Sequence, residues 1–174
     1  VSLNNWDVSN VTDMSDMFNG CSSFNKPLNL WNVSNVINMA NMFSGCSKFN
    51  NTLSNWDVYN VENTSNMFYG ADLFNQNIQN WEVYNVNTME NMFTYNSYLS
   101  QTFQLWRPSL STIFKRMFLG APLVYPTNNI TNITNITNTT NTTNIVVIMN
   151  YTEPSMKHLK DINFKKCFES CYPT

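Results

Sequence analysis

Charged side chains are scarce in this chain, and neither sign dominates among them. Asp, Glu, Lys and Arg make up 11 % of its 174 residues, against roughly 25 % in typical soluble domains. Asn, Ser and Thr supply most of the polarity instead. Because the formal net charge is −2, the chain lacks the basic surface that binds a nucleic-acid backbone. We therefore predict no nucleic-acid partner.

Long apolar runs are also missing. The longest, IVVIM at 145–149, is far shorter than the ~20 residues of a membrane-spanning helix. No basic segment followed by an apolar one opens the sequence as a secretory signal would. The chain begins at Val1, without Met and already inside a periodic pattern. We therefore interpret it as a fragment or excised domain, with no transmembrane segment in this fragment.

The residue sets that usually carry catalysis are absent from the sequence. His158 is the only histidine, and there is no Ser or Cys nucleophile motif and no glycine-rich phosphate loop. Carboxylates such as Asp57 and Glu82 would act as a glycosidase pair only inside an enclosing cleft. We therefore predict a non-enzymatic protein that uses no cofactor and no metal.

Cysteine is rare, with four residues in the chain. Cys21 and Cys46 occupy a register that is alanine in other copies of the repeat described below, which predicts small, buried and inert thiols. Cys167 and Cys171 lie four residues apart near the C-terminus. They suggest either a disulfide or half of a metal site, and a secreted chain would favour the disulfide.

What the sequence does contain is a repeat of 25 residues. NNWDVSNVTDMSDMFNGCSSFN at 4–25 is followed, at that spacing, by LWNVSNVINMANMFSGCSKFN and NWDVYNVENTSNMFYGADLFN. Tryptophans keep the spacing through five copies, at Trp6, Trp31, Trp56, Trp81 and Trp106. A fixed period of this length predicts stacked coils that bury their apolar faces against one another. We expect the tryptophans, and the equivalent phenylalanines, to form stacked columns.

Two periodicities follow each other within one copy. From Trp6 to Asn10 apolar and polar side chains alternate, which is typical of a strand with one buried face. From Val11 to Cys21 apolar side chains recur every three or four residues, as on a short helix, and Gly20 stands where that helix should end. The pattern predicts an α/β repeat, a leucine-rich-repeat-like solenoid with a parallel strand ladder on one face and short helices on the other.

The chain divides into three predicted segments. Residues 1–126 form a solenoid of five repeats, the last of them degenerate, and 127–144 form an Asn/Thr-rich linker or excursion. Residues 145–174 are predicted to form a strand and a short amphipathic helix that cap the repeats. The sequons from Asn129 to Asn141 are glycosylation candidates in a secreted chain. The open first coil predicts self-association.

Asparagines recur in two registers of the repeat. An Asn side chain can bond to backbone groups that a turn leaves unpaired. We therefore predict two structural ladders. They are formed by Asn10, Asn35, Asn60 and Asn85, and by Asn25, Asn50 and Asn75.

Outward positions beside the buried residues vary between copies, and variation on a repeat surface can set binding specificity. The candidate ligand-binding residues are Asp7, Asn32, Asp57 and Glu82 in one column, and Tyr59 and Tyr84 in the next. We expect Tyr59 to stack beside Tyr84, and this pair together with Asp57 and Glu82 would suit a sugar or a peptide. Two alternatives stay open: a solvated face that binds nothing, and a calcium site, although Asn32 interrupts the acidic column.

Two motifs carry a resemblance to a known family. L-x-x-W-x-V in Leu3–Val8 and M-x-x-M-F-x-x-C-x-x-F-N in Met14–Asn25 resemble the repeats of BspA-like leucine-rich-repeat surface proteins, over residues 3 to about 125. The resemblance implies a right-handed solenoid, a cell-surface or extracellular location, and adhesion or recognition of a protein or glycan. The alternative is a structural spacer or an intracellular protein-interaction scaffold without a specific ligand.

Overall fold

The computed structural model of the chain describes residues 2–101, 103 and 105–122. These residues include almost all of the five predicted repeats. The predicted linker at 127–144 and the predicted strand, helix and cap at 145–174 lie outside the described residues, as does residue Val1.

Each repeat forms one coil, and each coil is built from tight turns. In the second coil, six backbone N–H groups donate to the carbonyl three residues earlier, which is the hydrogen bond of a β-turn. The donors are Trp31, Val36, Met42, Ser44, Cys46 and Phe49. The longest continuous turn segment recurs in every coil, at 15–20, 40–45, 65–70, 90–95 and 115–120. Successive turns bend the chain back on itself within 25 residues.

The described residues contain no helix and no strand longer than an isolated bridge. Single parallel bridges join one position of each coil to the next, in the order Asp13, Asn38, Asn63, Thr88 and Ile113. The prediction of an α/β, leucine-rich-repeat-like right-handed solenoid with a strand ladder and helices is therefore wrong. The 25-residue periodicity itself is reproduced by the stacking of equivalent residues.

The segment predicted as a helix cannot be one because its backbone changes handedness. Asp16 has a φ of 59° and Gly20 a φ of 75°, both in the left-handed region. The N–H groups that a helix would use internally donate instead to carbonyls of the next coil, over 2.8–3.0 Å, from Met14, Asp16, Phe18 and Gly20. Successive β-turns, each closed by a bond to the carbonyl three residues earlier, bring apolar side chains inward at a spacing that resembles the helical one.

The segment predicted as a strand is joined to its neighbour by side chains. No backbone hydrogen bond connects 6–10 to 31–35. The indole Nε1 of Trp31 donates to the Leu3 carbonyl at 2.8 Å, and the Asn35 amide donates to the Ser9 carbonyl at 2.8 Å. The indole bond recurs from Trp56, Trp81 and Trp106. Side-chain donors thus take the place of a strand ladder on this face.

Aromatic columns fill the interior, as predicted. Ring centroids of successive tryptophans from Trp6 to Trp81 lie 6.4–6.5 Å apart. A second column runs from Phe18 to Phe118 at 5.5–5.6 Å. Trp6 in the first coil is 51 % exposed, whereas Trp31 is 3 % exposed. Self-association through this first face stays a prediction.

Coil four departs from the others at one corner. Tyr95 has a φ of 58° at a position that is glycine in the other four coils, and this conformation costs an L-residue with a side chain roughly 1–2 kcal/mol. Asn96 next to it is fully buried, and neither polar atom of its side chain has a partner among the described residues. An unpaired buried polar group costs about 1–3 kcal/mol. Both departures destabilise this corner.

We expect Gly120→Ala to destabilise the chain more than Gly70→Ala. Both glycines have positive φ, so each substitution should cost about 1 kcal/mol in backbone strain. A Cβ at Gly120 would also lie 2.6 Å from Cδ1 of Tyr95, whereas a Cβ at Gly70 meets nothing within 4 Å. Urea unfolding should show at least about 1 kcal/mol of additional loss for Gly120→Ala. Equal losses would contradict the packing of Tyr95 on Gly120.

Candidate functional site

The predicted acidic column occupies equivalent exposed positions on successive coils. Oδ1 of Asp7 accepts hydrogen bonds from the backbone N and the hydroxyl of Ser9, at 3.0 and 2.6 Å. These bonds, first the one from the hydroxyl and then the one from the backbone, hold the pKa of Asp7 below its usual value. Asp7 therefore stabilises a turn in addition to facing solvent.

The same turn bond recurs in the next two coils. Oδ1 of Asn32 accepts from the backbone N of Ser34 at 3.1 Å, and Oδ1 of Asp57 accepts from the backbone N of Tyr59 at 3.0 Å. An amide and a carboxylate serve equally well here because both present an acceptor oxygen at the same distance from the backbone. This explains how Asn32 can interrupt the acidic column. Glu82, which is one methylene longer, makes no such bond in the structure.

The two tyrosines predicted to bind a ligand, Tyr59 and Tyr84, occupy equivalent exposed positions, but their rings do not stack on each other. Tyr59 is 51 % exposed and Tyr84 is 64 % exposed. The ring contacts of the described residues do not include a contact between Tyr59 and Tyr84, so the predicted stacking of their rings is not observed. Each ring offers its own contact surface.

An open depression of about 300 Å³ lies beside Tyr84. Its lining comes from three neighbouring coils and consists of Asn60, Glu62, Tyr84, Asn85, Asn87 and Ser109. Of the six residues predicted to bind a ligand, only Tyr84 lines it. Glu62 and Asn87 were not singled out from the sequence, although they stand 25 residues apart, two positions beyond the first predicted Asn ladder.

Hydrogen bonds fix the orientation of the amide groups in this depression. The Nδ2 of Asn60 donates to the Ser34 carbonyl at 2.8 Å, and that of Asn85 donates to the Tyr59 carbonyl at 2.7 Å. The Nδ2 of Asn87 approaches Oε2 of Glu62 at 3.4 Å. These bonds use one N–H of each amide, so each amide oxygen and its second N–H are left for a ligand. With the Glu62 carboxylate, the depression therefore offers both acceptors and donors to a ligand.

Both predicted Asn ladders are confirmed, and their bonds run between a side chain and the backbone of a neighbouring coil. In the first ladder, Asn35, Asn60 and Asn85 donate to carbonyls of the preceding coil. In the second, Oδ1 of Asn25 accepts from the N of Asn50, and Oδ1 of Asn50 accepts from the N of Asn75. These side chains pair backbone groups that the turns leave open.

Cys21 and Cys46 are both free thiols. Cys46 is buried as predicted, with its Sγ donating to the Phe18 carbonyl at 3.0 Å. Burial, with a smaller contribution from nearby Cys21, raises the pKa of Cys46 to about 12. The prediction of burial is wrong for Cys21, which is exposed because no described coil covers it. Cys167 and Cys171 lie outside the described residues.

We expect iodoacetamide to label Cys21 and to spare Cys46 in the folded chain at pH 8. The thiolate is the reactive form, and the raised pKa keeps Cys46 protonated at this pH. Peptide mass spectrometry after timed quenching would measure both sites, with the urea-unfolded chain as the control in which both react. Equal labelling of the two thiols in the folded chain would contradict the burial of Cys46.

Two further features bear on the chemistry of the described residues. In that part of the chain, no three His, Cys, Asp or Glu side chains come together as a group able to hold a metal ion. Residues 2–101, 103 and 105–122 also include no helix with the length and apolar character needed to cross a bilayer.

Comparison with known families places the whole repeat region in one group. The profile of the family described as "Mycoplasma protein of unknown function, DUF285" matches residues 1–106 and again residues 51–157. The starting points of the two matches are two repeats apart. Searches among curated proteins and among solved structures found no match. Because the two matches together span most of the sequence, the chain belongs to the family of Mycoplasma proteins of unknown function, DUF285.

Proposed function

We propose that this chain is a non-enzymatic recognition module that binds a glycan or protein at a cell or particle surface. The observation that carries the proposal is the depression beside Tyr84, where an exposed aromatic ring adjoins oriented amide oxygens and the Glu62 carboxylate. An exposed aromatic ring beside hydrogen-bonding side chains offers a ligand both an apolar surface and polar partners.

The chemistry of the lining favours a hydroxyl-rich ligand. One N–H of each of the Asn60 and Asn85 amides is held by a carbonyl, which fixes the amide orientation. Their oxygens and the Glu62 carboxylate accept hydrogen bonds from ligand O–H groups, and their second N–H groups can donate to ligand oxygens. The Tyr84 ring offers a flat apolar surface to the C–H face of a sugar. A glycan supplies both kinds of group, so we place a glycan first and a protein second.

The location of the module rests on the sequence resemblance. The W-D-V-S-N-V, M-F and F-N elements of the repeat are similar to those of BspA-like surface proteins, and membership of the DUF285 family agrees with a repeat family of this kind. We therefore propose that the repeats are displayed outside the cell. The family description names no ligand, so the choice of a glycan depends on the site alone.

A structural spacer or an internal scaffold is the competing function. It is favoured by the turn bonds of Asp7, Asn32 and Asp57, because these side chains have a folding role without any ligand. A spacer requires only that the interior columns stack. It therefore predicts that outward residues, Tyr84 and Glu62 included, can be replaced without consequence.

The direct test is binding of the chain to an array of immobilised glycans, followed by titration of the tightest-binding glycan. We expect Tyr84→Ser to weaken this binding at least about tenfold, or about 1.4 kcal/mol, because the ring surface is lost. Tyr59→Ser is the matched control, since Tyr59 occupies the same column one coil earlier and is similarly exposed. Unchanged affinity in Tyr84→Ser would refute this site.

A second test addresses location. Protease added to intact source cells should release repeat fragments, detected by mass spectrometry, if the module is displayed outside. A protein known to be internal serves as the control for lysis. Protection of the repeats until the cells are lysed would reject a surface role and favour the scaffold.

A further inference from the structure

The corner of coil four carries two adjacent departures from the repeat. Tyr95 stands at a left-handed position that is glycine in the other four coils, and Asn96 stands at a position that is Cys or Ala in them. Asn96 is fully buried, and within residues 2–101, 103 and 105–122 neither polar atom of its side chain has a hydrogen-bond partner. Glycine followed by a small residue would avoid both costs. Strain of this kind is characteristic of functional sites.

This corner also presents an exposed aromatic surface built from two neighbouring coils. We call it the coil-four corner and define it as residues 69–73 and 94–98. Its exposed side chains, between 37 % and 63 % accessible, are Tyr69, Leu73, Tyr95 and Tyr98. The rings of Tyr69 and Tyr95 meet edge to face, with centroids 5.5 Å apart and planes at 82°.

The polar groups of the corner narrow the ligand class. The Thr94 hydroxyl donates to the Arg116 carbonyl at 2.6 Å, and the Ser97 hydroxyl donates to Oδ1 of Asp72 at 3.3 Å. Besides the buried Asn96 amide, the remaining polar side chains of the corner are the hydroxyl groups of Tyr69, Tyr95 and Tyr98 and the Asp72 carboxylate. The Asp72 carboxylate is the one charged group within the corner, and the Tyr98 N–H bonds to the Asp72 carbonyl at 3.1 Å. The corner thus contains three exposed tyrosine rings and one carboxylate.

We propose that the coil-four corner docks a partner protein through an arginine side chain. Guanidinium groups stack on tyrosine rings and pair with carboxylates, while their methylene stems pack on apolar side chains. Asp72 supplies the carboxylate, the Tyr69 and Tyr95 pair supplies the rings, and Leu73 supplies the apolar contact. The site is separate from the depression beside Tyr84.

The proposal is tested first by titrating the chain with the peptide acetyl-Ala-Arg-Ala-amide and following backbone amides by NMR. Gly120 is the natural reporter because it packs against the Tyr95 ring, and the chain has only four glycines. We expect saturable shifts at Gly120 and Tyr98. The same peptide with citrulline, which keeps the shape of arginine but not its charge, should cause none. Absence of a saturable shift, or equal shifts with citrulline, would overturn the proposal.

Two variants complete the test. Asp72→Asn removes the charge and should weaken binding of the arginine peptide at least about fivefold, whereas Leu30→Ser, at an exposed site in coil two, should leave it unchanged. The double variant Tyr95→Gly/Asn96→Ala restores the Gly-Ala pair of coils three and five. It should raise the melting temperature by about 5 °C and abolish peptide binding. A lower melting temperature, or binding retained in either corner variant, would contradict the proposal.

Discussion

Each coil of this chain satisfies its backbone only through its neighbours. A helix or a hairpin can pair its own N–H and C=O groups, but a coil of tight turns leaves alternate groups open. In the first coil, Met14, Asp16 and Phe18 donate their backbone N–H groups to the second coil, and unpaired buried backbone groups would be costly. Stacking in register is therefore a condition for forming any one coil, and it explains the strict 25-residue period.

The residue types that recur in each coil are explained by the same need to pair backbone groups between coils. On one face, where backbone bonds between coils are missing, the Trp31 indole and the Asn35 amide provide the donors. The aromatic columns then fill the interior, so that rings such as Phe43, Phe68 and Phe93 contact their own counterparts in adjacent coils. Identical residues recur because each must fit a copy of itself. Positions outside these columns and ladders vary between coils, and Tyr84, Glu62 and the coil-four corner lie among them.

The two proposed sites differ in how they relate to stability. The depression beside Tyr84 is built partly from the Asn ladder, since Asn60 and Asn85 line it while they bond to the preceding coil. The coil-four corner instead opposes folding, because Tyr95 is strained and the buried Asn96 side chain has no partner in the described part of the chain. The fold can retain this unfavourable corner because the neighbouring coils are regular and well packed.

Sequence alone determined the unit length, the number of coils, the buried aromatic columns and the two Asn ladders. These depend on identity at a fixed spacing, as with Trp31 over Trp56 or Asn25 beside Asn50, and spacing is visible in the sequence. The sequence could not determine the path of the backbone within a coil. Apolar residues three or four apart, as in Val11 to Cys21, are produced equally by a helix and by successive turns. Only the left-handed backbone at Asp16 and Asn41, held by bonds to the next coil, decides for turns.

Likewise Tyr84 was identifiable as an outward aromatic residue, but its grouping with Glu62 and Asn87 depends on three coils being stacked. Contacts between residues of different coils exist only after that stacking.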